Sequence, residues 1–135
     1  MPPGWYTYRA QPGVYLLAPD APWDILVKKI KLEKLSAEER KSPRAWVEKS
    51  LPAAAKRLKD LKVRAGSWET TIISGRPAVS LLGDFVATDG RPMTQYTVCV
   101  FGKTTALNMN VDCPRDGVEA MKKAVHPIVV SLEVK

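Results

Sequence analysis

The chain has 135 residues, 45% of them hydrophobic and 26% charged. That composition belongs to a globular domain and excludes a disordered or membrane-spanning one. Its 21 Lys and Arg against 14 Asp and Glu give a net charge of +7, and one His with two Cys leaves little material for metal or triad chemistry.

The opening is read as two short β-prone runs, Tyr6-Thr7-Tyr8 and Val14-Tyr15-Leu16-Leu17, separated by the turn Gln11-Pro12-Gly13. Two prolines in Ala18-Pro19-Asp20-Ala21-Pro22 break the pattern. From Trp23 to Leu35 the alternation around Ile25 and Val27 predicts a strand that is apolar at its start and exposed at its basic end. Ser36-Ala37-Glu38-Glu39 is a capping box that starts a short turn, and Ser42-Pro43 is the stronger helix start. The stripe Val47, Leu51, Ala54, Leu58 and Leu61 predicts a helix from Pro43 that ends before Gly66, kinked or divided at Pro52. Trp46 lies beside the stripe as a packing residue.

Beyond Gly66 the period changes to alternation. Residues 70–74, 78–87, 94–101 and 104–111 read as strands, joined by Ser74-Gly75-Arg76-Pro77, Asp89-Gly90-Arg91-Pro92 and Gly102-Lys103. Such short links force antiparallel neighbours and hence a four-strand meander. Leu107, Met109 and Val111 should face the core, opposite Asn108 and Asn110, while the strand 94–101 is apolar on both sides and therefore central. A closing helix is expected from about Asp116 to Leu132, bent at Pro127, with Val118, Met121, Val125, Ile128 or Val129, and Leu132 buried. The order predicts an α+β domain with an antiparallel sheet and helices on both faces.

The layout resembles the PsbP-like family, which includes the Ran-binding Mog proteins and many uncharacterised bacterial proteins. The resemblance is carried by Gly13-Val14-Tyr15-Leu16-Leu17-Ala18-Pro19 with Trp23, a central amphipathic helix, Ile72-Ile73-Ser74-Gly75-Arg76-Pro77-Ala78, a hairpin at Asp89-Gly90, and the close Ile128-Val129-Val130-Ser131-Leu132. It spans about residues 13–133 of one domain, 1–135. It implies a three-layer α/β/α sandwich around a central antiparallel sheet, and work by docking to other proteins rather than a reaction. No binding motif of the family carries over residue by residue, so no site is inherited.

The charge is concentrated. Lys28 to Arg64 holds 13 basic and 5 acidic residues, a balance of +8, and the rest of the chain sums to −1. Interleaved acids also allow a plain solvated face. The candidate contact residues are Lys49, Lys56, Lys59 and Lys62, read as helix lysines. The expected partner is a protein with an acidic surface. Non-specific binding to nucleic acid or another anionic surface is the alternative, disfavoured because the aromatics are scattered rather than interleaved with the lysines.

An enzyme is not expected, and neither is a cofactor or a metal site. Gly102-Lys103-Thr104 has only the tail of a phosphate loop and sits in a hairpin. His126 stands alone beside the last helix's apolar stripe, and Asp112 and Asp116 read as helix caps around Pro114. A small thiol enzyme using Cys99 or Cys113 is the remaining catalytic alternative. With Cys99 near Ala106 across the hairpin and Cys113 beyond the next strand, about 20 Å away, two buried free thiols are expected rather than a disulfide. No apolar run spans a bilayer, and Met1-Pro2-Pro3-Gly4-Trp5 has no signal-peptide character. A soluble protein is expected, cytoplasmic or exported after removal of a leader.

Overall fold

The computed structural model describes the backbone of residues 7–11, 14–17 and 24–130, and side chains from residue 25 to 130. The strands are β1 (Thr7–Gln11), β2 (Val14–Leu17), β3 (Asp24–Lys31), β4 (Lys59–Val63), β5 (Glu69–Ile73), β6 (Arg76–Val86), β7 (Pro92–Phe101) and β8 (Thr105–Pro114). The helices are α1 (Pro43–Arg57) and α2 (Val118–Val130). All strands join one antiparallel sheet in the order β1-β2-β3-β8-β7-β6-β4, with β5 also on β6. The expected meander is β5 to β8.

The sheet separates two apolar cores because side chains alternate across it. On one face Ile25, Val27, Val98, Val100, Leu107, Met109 and Val111 pack against Val118, Met121, Val125, Ile128 and Val129 of α2. On the other, Val79, Leu81, Cys99, Phe101 and Ala106 meet Leu35 and Val47, with Trp46, Leu51 and Trp68 partly buried around them. Helices on both faces of an antiparallel sheet are the layered α+β architecture expected above, and β7 is apolar on both sides because both helices lean on it. Beyond the second core, that face turns polar: Gln95 Nε2 donates to Asp112 Oδ1 (3.0 Å) and Thr97 Oγ1 to Asn110 Oδ1 (2.8 Å).

Local signals start α1 and turn the β5–β6 hairpin where the sequence places them. Ser42 Oγ accepts the Ala45 N–H at 3.0 Å, and Pro43 opens α1. Ser36 and Glu39 form the reciprocal capping box, Ser36 N–H to Glu39 Oε1 at 2.9 Å and Glu39 N–H to Ser36 Oγ at 3.2 Å, over a single 3₁₀ turn, Glu39–Lys41. Ser74 (φ 51°) and Gly75 (φ 76°) are both left-handed, the type I′ turn that suits a two-residue hairpin.

Four expectations need correction. The helix from Pro43 does not reach Gly66; it ends at Arg57, and Lys59–Val63 is the strand β4 on the edge of β6. The leucine spacing of three is helical, and sheet pairing overrides it where Gly83 of β6 leaves room for Leu61: a Cβ at Gly83 would stand 3.0 Å from Leu61 Cδ1. Lys59 and Lys62 are therefore strand lysines. The strand after Trp23 stops at Lys31, where a 3₁₀ turn (Leu32–Lys34) begins. Cys113 lies inside β8, not beyond it, while Cys99 shares a core with Ala106 as expected. Asp112 is a β8 residue bound to Gln95 rather than a helix cap. The expected burial of Leu132 and the aromatic runs near Tyr6 lie outside the described side chains.

Candidate functional site

The basic segment is spread over β3, the two 3₁₀ turns, α1 and β4, and 12 of its 13 cations are exposed; Arg64 alone is half-buried. Lys49 and Lys56 are seven residues apart on α1 and so share one side of it. Lys49 Nζ stands 3.5 Å from Glu38 Oε2, which offsets its charge locally. Lys56, Lys59 and Lys62 fall on the turn from the end of α1 into β4 and have no ion-pair partner among the described residues. Lys49 and Lys56 thus stand on α1, while Lys59 and Lys62 sit on the edge strand β4, where lysine keeps other strands from pairing. Arg44 is engaged twice, by Glu48 at 2.6 Å and with its guanidinium 4.5 Å from the Trp68 ring centroid.

The most connected polar group among the described residues was not expected from the sequence. Asp84, on β6, accepts from Arg64 Nη2 at 2.8 Å and Nε at 3.3 Å and from Thr94 Oγ1 at 2.7 Å, with Arg115 Nε at 3.8 Å. Arg115 also donates to the Phe85 carbonyl at 2.8 Å. Burial alone would raise the Asp84 carboxyl, but hydrogen bonds from Arg64 and Thr94 and the two guanidinium charges hold it below its ordinary range. The cluster ties the β4–β5 link and the entry to α2 onto the sheet. Ser67 completes the tie, its hydroxyl accepting the Leu82 N–H at 3.1 Å and donating to Leu82 O at 3.2 Å. A carboxylate inside the apolar run Leu81-Leu82-Gly83-Asp84-Phe85-Val86 was the available signal.

His126 is exposed and lines a cleft of about 620 Å³ between α2 and the sheet, with Glu69, Tyr96, Glu119, Lys122 and Lys123. Lys122 Nζ lies 5.7 Å from the Tyr96 ring centroid. Among the described residues, two carboxylates and two ammoniums line it, and its one hydroxyl is the Tyr96 phenol, which burial pushes up.

Both cysteines are free and buried, as expected. Cys99 belongs to the α1-side core and Cys113 to the α2-side core, so the sheet itself stands between them. Burial pushes the Cys99 thiol far up, and burial with the nearby Asp112 charge pushes Cys113 up to about 11. Neither carries the thiolate that nucleophilic chemistry needs at neutral pH. Among the described residues no three His, Cys, Asp or Glu converge as a metal site, and no helix is long and apolar enough to cross a membrane.

The same architecture occurs in solved structures. A protein of unknown function from Pseudomonas aeruginosa aligns with a TM-score of 0.62 at 17% identity, covering 97% of each chain. LpqN of Mycobacterium tuberculosis, involved in cell envelope biogenesis, aligns at 0.61 and 17% identity over 95% of this chain and 76% of its own. The cyanobacterial PsbP (CyanoP) of Synechocystis aligns at 0.61 and 13% identity over 97% of this chain and 81% of its own. The chain therefore has the PsbP-like fold, as its layout implied. No family model and no curated protein matches its sequence.

Proposed function

We propose that the protein is a non-enzymatic accessory domain that binds another protein of acidic surface through its basic segment, Lys28–Arg64. The observation that carries this reading is the separation of charge in space. Outside Arg44, Lys49 and Arg64, the cations of the segment have no ion-pair partner among the described residues and stand in solvent. Such a field steers and holds an oppositely charged surface while leaving the fold untouched. Lys56 at the end of α1 and Lys59 and Lys62 on β4 are the residues through which it is tested. Proteins of the same fold include PsbP and one involved in cell envelope biogenesis, which supports an accessory role.

A pull-down with the full chain tests this. Capture of a partner at low salt should fall on raising the salt and on reversing charge at Lys56, Lys59 and Lys62, with the melting temperature of the variant checked in parallel. Capture indifferent to both removes the basic surface from the account. Retardation of mixed-sequence DNA or RNA in a gel at low salt would point to the non-specific polyanion alternative.

A further inference from the structure

One edge of the sheet is shared by β4 and β5, which both pair with β6. The two strands are protected unequally. β4 carries the exposed Lys59 and Lys62, breaks register between them and holds Asp60 at φ 55°, so charge and a bulge discourage a passing strand. β5 has neither device. Its five residues pair in unbroken register, contain no Lys or Pro, and are exposed from Glu69 to Ile72. Ile72 is 72% exposed, the most of any large apolar side chain among the described residues.

The hairpin turn fixes which backbone groups are free. A two-residue turn makes Ile73 and Arg76 a hydrogen-bonded pair, so Glu69, Thr71 and Ile73 turn their N–H and C=O groups toward β6. Those of Thr70 and Ile72 point outward, and among the described residues nothing pairs with them.

We propose that this edge is an interaction surface for a second copy of the chain, joined by antiparallel pairing of β5 with β5 about a two-fold axis at Thr71. That register sets Thr70 opposite the partner's Ile72, exchanging both main-chain hydrogen bonds, and symmetry repeats the pair. Thr71 lies across from the partner's Thr71. The two Ile72 side chains become diagonal neighbours on one face and cover each other's exposed surface. Charge selects the same occupant. Arg76 stands beside Ile73 on β6, and the register brings the partner's Glu69 to the other side of Ile73. Two strand spacings, about 9.6 Å, separate the backbones of Arg76 and the partner's Glu69, a span that the two long side chains bridge. This contact also forms twice. β5 lies outside the segment 28–64, so the pairing stands or falls independently of the basic surface.

Sedimentation velocity on the full chain, from micromolar to millimolar concentration, tests the pairing. The wild type should pass from monomer to dimer. Ile72→Lys, at an exposed position, should weaken self-association by about tenfold or more, with circular dichroism and melting unchanged. Glu69→Arg and Arg76→Glu should each weaken it, and the double variant should restore it. A chain that stays monomeric throughout overturns the proposal. So does a dimer that survives Ile72→Lys, or a double variant that associates no better than its single parents.

Discussion

Asp84 shows how much one carboxylate can organise. Its partners come from the β4–β5 link, β7 and the start of α2, so one side chain fastens three parts of the chain to β6. Thr94 is fully buried, and the carboxylate is only partly exposed at 28%. Asp84→Ala removes the acceptor shared by Arg64 and Thr94 and the charge beside Arg115, and should lower stability by about 2 kcal/mol at pH 7 in urea titration. The folded carboxyl titrates below its unfolded value, so its contribution is complete above an unfolded pKa of about 3.9 and is lost as pH falls through the lower folded pKa. The gap between wild type and Asp84→Asn should therefore be constant from pH 7 to 5 and close as the pH drops below about 4. A gap that widens in acid would contradict this sign. The apolar run around Asp84 marks it as unusual, but its partners were not legible, because Arg64, Thr94 and Arg115 are 10 or more positions away in sequence.

At the scale of elements, the stretch 58–63 decides between helix and strand. Leu58 and Leu61 continue the α1 stripe, yet the backbone leaves the helix at Leu58 (φ −107°) and pairs with β6. The pocket for Leu61 over Gly83 is what a sequence window around α1 does not contain. Gly83→Val should push Leu61 off the sheet and cost about 1–3 kcal/mol as overpacking. In hydrogen exchange, amides of Lys59–Val63 should lose protection before those of β7 and β8. Equal loss throughout the sheet would show that β4 and the central strands open together. The other elements were more legible. The α2 stripe from Val118 to Val129 is buried as read, since a helix on one face of a sheet buries one continuous stripe. In α1 only Pro43 and Val47 are fully buried, and its predicted stripe is largely half-exposed.

For the whole molecule, the sheet is a partition. Cys99 and Cys113 are reached only by opening different cores, one under each helix. Both should resist thiol reagents in the native state and react together on global unfolding, with mass spectrometry showing two modified thiols in the absence of reductant. Rapid labelling of either in the folded protein would contradict its burial. The charge divides at the same scale. Strands β5 to β8 and helix α2 carry little net charge, while the cations collect on the segment that supplies α1 and the edge strand β4.

By itself the sequence determined the meander, the start of α1, the faces of β7 and β8 and the location of the excess charge. All of these follow from local periodicity, capping and turn chemistry, which act over a few residues. Only the tertiary structure decided that Lys59 and Lys62 lie on an edge strand, that Asp84 has two arginines, that the thiols sit on opposite faces, and that β5 leaves its edge unguarded. Each depends on which distant residue stands opposite. Pairing across the sheet sets that relation, and no window along the chain contains it.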